Sequence, residues 1–240
     1  MERRPGCHTN VAGDDAASWH EEDTHDGDTI ACGRSMTTAG ILLIAGFVVF
    51  AVGAGLPSPR AWTGSDEEQR QFVGAHPSRW VASALAIAGG VVLTLAGLAV
   101  LTATLVSDGA RVWPVFGLVS YGTGAILWLF ELAFRSTVLV SIATTKGDPP
   151  DWFEAVRAWA GAAYWGYMVL AYLGIAAVGA ALLETQKVAA GFAWLPLVFG
   201  VIGAVVYVSK FPRPAWSVFD IPGILYLVTA ALGLGILLGT

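Results

Sequence analysis

The sequence predicts an all-α, polytopic transmembrane helical bundle of about six spans. Hydrophobic residues make up 55% of the 240 residues and charged residues only 13%, about half of the ~25% that is usual in globular domains. Six segments are apolar over the roughly 20 residues that a helix needs to cross a hydrocarbon core ~30 Å thick. Tryptophans concentrate near the ends of these segments, which is typical of an aromatic belt at the membrane surface.

The six predicted spans alternate with short polar connections. They are expected at residues 37–56, 80–106, 113–143, 152–184, 192–209 and 221–239. Local signals support their ends, because Pro57 closes the first span and Pro114 falls in the first turn of the third. Asp151 and Asp220 are placed to act as N-caps of the fourth and sixth spans.

The tryptophans of the predicted belt lie near expected helix ends. They are Trp62, Trp80, Trp113, Trp152, Trp159, Trp194 and Trp216.

Glycine and alanine are dense inside the first, second and fourth spans, for example at Gly89-Gly90, Gly174 and Gly179. Small residues let neighbouring helices approach closely, so we interpret these glycines as packing positions.

The charges separate the chain into two parts. Residues 1–35 carry three basic and eight acidic side chains, a net charge of −5, whereas the remaining residues carry ten of each sign. This first segment is polar and shows no apolar periodicity, so we expect an acidic, disordered N-terminal tail at 1–35 before a six-helix transmembrane domain at 36–240. Met36 immediately precedes the first span, which raises the hypothesis that translation begins there.

The loop at residues 57–79 is the only sizeable connection. Within it, "SDEEQRQFVGAH" predicts a short surface helix, with Ser65 as N-cap and three acids in the first turn. Lysine and arginine are more frequent on this side of the predicted bundle than on the side of the N-terminus. Counting of positive charges favours this side in the cytoplasm and both termini outside. The opposite orientation, with both termini inside, is the commoner arrangement for an even number of spans, and the two remain open at this point.

The stretch "LFELAFRSTV", residues 129–138, places Glu131 and Arg135 inside the predicted third span. Four residues apart, they share one face of the helix, about 6 Å apart along its axis. Ser120 and Gly124 fall on the same stripe. A charge near the bilayer centre costs roughly 2.5–3.5 kcal/mol on insertion scales, so we expect this polar seam to face the bundle rather than lipid.

Two interpretations of the pair remain open at this point. In a functional site, Glu131 lines a polar cavity and titrates or binds a cation, while Arg135 tunes it or holds an anion. In a structural role, the two charges neutralise each other, form hydrogen bonds with hydroxyl groups of other helices and fix the register of the bundle. The plausible hydroxyl partners are Thr94, Tyr164, Tyr167 and Tyr172. The candidate intramembrane polar site therefore comprises Glu131, Arg135, Ser120 and Tyr172.

Residues that would bind cofactors or metals are missing from the spans. None of the predicted spans contains a histidine for a bis-histidine haem or a lysine for a retinal Schiff base. The motifs HExxH, GxSxG and Walker A are also absent from the sequence. Cysteines and histidines occur mostly in the tail, at spacings that fit no usual zinc pattern. They are Cys7, His8, His20, His25 and Cys32. We expect no cofactor and no metal.

In overall form, residues 36–240 resemble the small six-helix integral membrane proteins of unknown function that are common in high-GC bacteria. The resemblance rests on the number of spans, on the long first loop with "AHPSRW" leading into the second span, and on the charged third span. It implies the bundle fold and a location in the cell membrane. It implies no site residue and no activity.

The sequence therefore favours a non-enzymatic multi-pass protein that binds, scaffolds or modulates a partner. The alternative is a small-solute or proton-linked transporter that uses Glu131 and Arg135. A third interpretation is a membrane-embedded enzyme acting on lipid or quinone, with Asp220, Lys210 and Arg213 near the headgroups. The expected partners are the lipid bilayer and another membrane protein or a second copy of the chain, with no nucleic acid.

Overall fold

The computed structural model describes residues 24–58, 61–62, 65–145, 147–209 and 222–239, with side chains from Arg34 onward. These ranges contain helices and no strand. The helices are α1 (Thr24–Gly55), α2 (Asp66–Ala75), α3 (Pro77–Ser107), α4 (Val112–Ser136), α5 (Val138–Thr144), α6 (Trp152–Thr185), α7 (Ala190–Ser209) and α8 (Pro222–Gly239).

Six segments are long and apolar enough to cross a membrane, which confirms the predicted all-α bundle. They are Arg34–Gly55 of α1, α3, α4 together with α5, α6, α7 and α8. The chain is therefore a multi-pass membrane protein. We call the end of the bundle that holds Arg34 and Gly239 the terminal face, and the opposite end, which holds Gly55 and α2, the loop face.

The spanning helices form a closed ring. Helix α1 packs against α3 and α8, α3 against α4, α4 against α6, and α6 against α7, while a smaller contact between α7 and α8 completes the ring. Glycines set the closest approaches: a Cβ added at Gly90 would lie 2.8 Å from the carbonyl oxygen of Gly46, and one at Gly174 would lie 2.9 Å from the amide nitrogen of Tyr121. The predicted packing role of these glycines is confirmed.

The outer surface of the ring is apolar. Large side chains such as Ile41, Leu85, Val119 and Val205 are exposed on it, as lipid-facing residues are in a membrane bundle. At the terminal face, Lys187 Nζ lies 3.1 Å from Asp108 Oδ2. This ion pair joins the connection after α3 to the connection after α6.

Helix α1 begins before the first span, because it starts at Thr24 whereas the apolar span begins at Arg34, close to the predicted residue 37. The last part of the predicted tail is therefore helical, and residues 1–23 lie outside the described residues.

The N-cap prediction for Asp151 is wrong. Its φ and ψ of −53° and −32° are already helical, and its side chain makes no capping hydrogen bond, whereas an N-cap has a non-helical backbone. Asp220 lies outside the described residues.

The predicted third span is divided into two helices at Thr137. The carbonyl oxygen of Ala133 accepts the amide of Thr137 at 3.1 Å, the hydroxyl of Thr137 at 2.6 Å and the hydroxyl of Ser136 at 3.2 Å. Side chains that bond back to the preceding turn compete with the backbone ladder and disturb a helix. This local competition explains why α4 ends at Ser136 and α5 begins at Val138.

A small cap covers the loop face, and we define it as α2, α5 and the Trp62 side chain. The prediction for α2 is confirmed: Ser65 Oγ accepts from the amide of Glu68 at 3.3 Å, while Glu68 Oε2 accepts from the amide of Ser65 at 2.7 Å. Helix α2 packs mainly against α5. Its Asp66 forms an ion pair with Arg157 of α6, so the cap is fastened to the bundle.

Four of the tryptophans of the predicted belt are exposed, as contact with the membrane surface requires, whereas Trp80 is buried. Trp113, Trp152, Trp159 and Trp194 are exposed. Trp80 is only 1% exposed, because the cap and the end of α4 enclose its ring. Trp62 is half-buried within the cap, and Trp216 lies outside the described residues.

Candidate functional site

The structure brings Glu131 and Arg135 into direct contact. The Nε–H of Arg135 donates to Oε1 of Glu131, as their four-residue spacing on one helix predicts. The side chain of Glu131 is 5% exposed and that of Arg135 is 25% exposed. The carboxylate is thus inside the protein, while the guanidinium reaches toward the loop face.

The pair lies toward the loop-face end of α4. The indole N–H of Trp80 donates to the carbonyl oxygen of Arg135 at 3.0 Å, which places Arg135 level with the first turn of α3. Glu131 lies five residues before the end of α4 at Ser136, about 8 Å along the axis.

Arg135 connects the bundle to the cap. Its guanidinium carbon lies 5.4 Å from the ring centroid of Trp62, within the range of a cation–π contact. Trp62 is itself anchored, because its indole N–H donates to the carbonyl oxygen of Ala54 at 3.0 Å. The rings of Trp62 and Trp80 lie 5.0 Å apart. One arginine therefore contacts a buried carboxylate on one side and an aromatic ring of the cap on the other.

One oxygen of the carboxylate remains without a donor. Oε2 of Glu131 is buried and has no hydrogen-bond partner within the described part of the chain. A carboxylate oxygen normally accepts more than one hydrogen bond. The ion pair with Arg135 explains why the charge of Glu131 can be buried, but it does not explain why this second oxygen is buried.

The other two candidate residues lie elsewhere. Ser120 is buried on α4, eleven residues before Glu131 and hence about 16 Å away along the axis. The ring of Tyr172 packs against Phe199 and Tyr207 of α7, with centroids 5.7 and 5.9 Å away. The sequence grouped Ser120 with the pair because it shares their helix face, and added Tyr172 as a hydroxyl partner from the fourth span. The helical period predicts which residues share a face, but not which residues of another helix they contact.

Sequence reasoning missed a second polar site, which we call the midplane hydroxyl cluster. It consists of Thr94 of α3, Tyr121 of α4, Tyr167 of α6 and Tyr226 of α8, each fully buried. The hydroxyl oxygens of Tyr121 and Tyr226 are 3.5 Å apart. We name the cluster for Thr94 and Tyr167, which lie near the middle of their helices. Thr94 and Tyr167 had been expected to form hydrogen bonds with the pair of Glu131 and Arg135.

Stacked aromatic rings fill the space around this cluster. Phe50 stacks on Tyr226 with centroids 4.2 Å apart, and Trp128 stacks on Tyr167 at 4.3 Å. The rings of Phe50 and Trp128 are 5.9 Å apart. Rings from α1, α4, α6 and α8 thus meet inside the helix ring. A tyrosine in the middle of an apolar run was the available signal, but it does not reveal which tyrosines will meet.

Groups of three or more metal-ligating residues do not occur in the described residues. The structure describes no side chains for the tail residues considered for zinc. The same is true of Asp220, Lys210 and Arg213, which were considered for lipid or quinone chemistry.

A scan against protein-family models, a search of curated proteins and a search of solved structures each find no match to this chain.

Proposed function

We propose that this multi-pass protein is a non-enzymatic component of the cell membrane that works by binding, scaffolding or modulating a partner. The observation that carries the proposal is the filled interior of the helix ring. A solute that crossed between the helices would have to separate the stacks of Phe50 on Tyr226 and of Trp128 on Tyr167. Aromatic pairs of this kind stabilise a protein beyond their buried area, so the interior favours a static core.

The surroundings of Glu131 and Arg135 support the same proposal. Arg135 contacts Glu131, while its carbonyl oxygen accepts from Trp80 and its guanidinium faces Trp62. These contacts join α4 to the start of α3 and to the cap. The pair then serves to hold a folded surface at the loop face, where a partner would be met.

Cysteine accessibility tests the filled interior. Cys7 and Cys32 are replaced by serine, and a single cysteine is introduced as Thr94→Cys in the core or as Glu184→Cys at the exposed end of α6. We expect a membrane-impermeant maleimide to label Glu184→Cys in membranes opened on both sides and to leave Thr94→Cys unmodified. Rapid labelling of Thr94→Cys would show a water-filled path to the midplane and overturn the proposal.

Partner binding needs its own test in native membranes. A photo-crosslinking amino acid at Glu67, exposed on α2, is compared with one at Leu85, exposed on the lipid-facing surface. We expect at least one position to give an adduct of defined mass with another membrane protein or a second copy. Adducts with lipid alone at both positions, and at equivalent positions around the bundle, would contradict a binding role.

A second candidate function is small-solute or proton-linked transport through Glu131. The observation in its favour is the buried Oε2, which has no donor within the described residues and is available to a proton or a cation. Reconstitution into liposomes tests it directly. A pH-gradient-driven flux that exceeds that of empty liposomes and disappears in Glu131→Gln would favour transport over partner binding.

A further inference from the structure

Two hydroxyls of the midplane cluster are buried without a hydrogen bond. Within the described part of the chain, Thr94 Oγ1 and Tyr167 OH have no partner at hydrogen-bonding distance and angle. Both residues are 0% exposed. Buried polar atoms in proteins are nearly always paired, either with protein or with ordered water, so this pair of orphaned atoms requires an explanation.

Both atoms are neighbours of the Tyr121 hydroxyl. The hydroxyl of Tyr121 has the hydroxyls of Tyr226, Tyr167 and Thr94 as its side-chain neighbours. The one direct contact that meets hydrogen-bond geometry, between Tyr121 and Tyr226, measures 3.5 Å, well beyond the usual length for two hydroxyls. Four hydroxyls from four helices therefore converge but are too distant or too poorly aligned to satisfy one another.

This geometry is the one that a bridging molecule satisfies. Polar groups separated by about 3.5 Å or more are commonly joined by a water, which makes about three hydrogen bonds in a buried site. Each hydroxyl offers one donor and two acceptor lone pairs, so the cluster can both give and accept hydrogen bonds. The four cluster residues are fully buried and carry no formal charge, and an ion buried without a counter-charge is costly, so a neutral ligand is favoured over an ion.

We propose that the midplane hydroxyl cluster is a binding site for a small neutral hydrogen-bonding molecule, with water as its resident ligand. The bound water joins α3, α4, α6 and α8 through one polar centre. It fixes the mutual register of these helices in a region where the neighbouring contacts are apolar and nondirectional. This inference does not depend on the proposed function, because one enclosed water requires neither a partner nor a transport path.

Removal of single hydroxyls tests the proposal on the full chain in mild detergent. Thr94→Val and Tyr167→Phe retain shape and remove the two orphaned hydroxyls. A hydroxyl bound to water contributes to stability, so we expect each change to lower Tm by about 2–4 °C. Thr104→Val is the matched control, since Thr104 Oγ1 donates to the carbonyl of Val100 in its own helix at 3.1 Å. An unchanged or raised Tm for both variants would overturn the proposal, because a truly unsatisfied hydroxyl is costly to bury.

Water must then be distinguished from direct bonds that form when the hydroxyls move closer together. In lipid bilayers, the chain is labelled with ¹³C at Cζ of tyrosine and phenylalanine, and magnetisation is transferred from water protons by solid-state NMR. We expect the signals of Tyr121 and Tyr167, assigned through their phenylalanine variants, to rise before that of Phe50. Phe50 lies at the same depth and has no hydroxyl.

Simultaneous late rise of all three signals would show a dry cluster and overturn the proposal, even if Tm had fallen. An early rise for the tyrosines together with an unlabelled Thr94→Cys supports the water site and the filled interior at once. An early rise with rapid maleimide labelling would retain the water site and remove the proposed function. The two proposals therefore fail separately.

Discussion

The two polar regions of this bundle differ in both charge and depth. Glu131 and Arg135 are ionisable and lie near the loop face, where Arg135 is level with the first turn of α3. The midplane hydroxyl cluster is neutral and lies where Thr94 and Tyr167 occupy the middle of their helices. The cost of burying a charge in a membrane is greatest at the centre and falls toward the surface. The distribution of polarity in this chain follows that gradient.

The two polar regions are also contacted by different parts of the molecule. The charged pair is contacted from the cap by Trp62 and from the first turn of α3 by Trp80. The hydroxyl cluster is enclosed by the ring itself and by the stacks of Phe50 and Trp128. Changes at the pair should therefore loosen the cap as well as the bundle, whereas changes at the cluster should affect the bundle alone.

The largest effect is expected from Arg135→Gln, which leaves the buried carboxylate of Glu131 without its cation. Breaking a buried pair in this way destabilises by about 3 kcal/mol, measured as the free energy of unfolding in mild detergent. Arg70→Gln is the matched control, because Arg70 pairs with the exposed Glu67 on α2 and exposed pairs contribute about 0–1 kcal/mol. Equal losses of unfolding free energy in the two variants would show that the buried pair contributes no more than the exposed pair on α2.

A smaller loss, about 2 kcal/mol, is expected from Trp80→Phe. The change leaves the carbonyl oxygen of Arg135 without the indole N–H and puts a smaller ring in a fully buried position. Trp159→Phe on the lipid-facing surface serves as the control, and we expect its thermal unfolding to match that of the unaltered chain. If Trp80→Phe also behaves like the unaltered chain, the hydrogen bond from Trp80 does not help to hold Arg135.

The neutral region should respond more weakly. Tyr121→Phe removes the hydroxyl at the centre of the cluster and is expected to cost about 1 kcal/mol, the usual value for one hydrogen-bonding group. Limited proteolysis of the connection at residues 56–65 should remain as slow as in the unaltered chain, because the cap is not involved. Faster cleavage there would show that the two regions are coupled.

The smallest effect is expected from Arg157→Gln, which removes the ion pair between α6 and Asp66 of the cap. Both side chains are partly exposed, so the loss should be about 0.5 kcal/mol in dilute salt. Screening should remove the difference in 1 M salt, where the melting curves of the variant and the unaltered chain are expected to coincide. A loss that persists at high salt would indicate that Arg157 contributes by packing.

Hydrophobic length and local capping signals were sufficient to predict much of the fold. The six spans could be predicted because a membrane imposes a minimum apolar length, and α2 because Ser65 and Glu68 form a capping box within four residues. The break at Thr137 was missed, since it depends on two hydroxyls bonding back to one carbonyl. Asp151 has the composition of an N-cap, but its backbone is already helical.

The sites were less predictable for a definite physical reason. The contact between Glu131 and Arg135 is local to one helix, so their spacing alone was enough to predict it. The hydroxyl cluster combines side chains from four helices, and its assembly depends on the order of helices around the ring. No local pattern encodes that order. Tyr172 illustrates the limit: it shares a helix with Tyr167 but faces α7.

The most direct test of the account is a double-mutant cycle on the charged pair. Glu131→Gln, Arg135→Gln and the double variant are compared with the unaltered chain by their free energies of unfolding in mild detergent. If the two charges stabilise each other and hold the cap, each single change is destabilising. The double variant then recovers most of the loss, with a coupling of about 2 kcal/mol. A neutral or stabilising Glu131→Gln, with additive effects in the double variant, would contradict the account. The carboxylate would then be maintained at a cost in stability, as in a transport site.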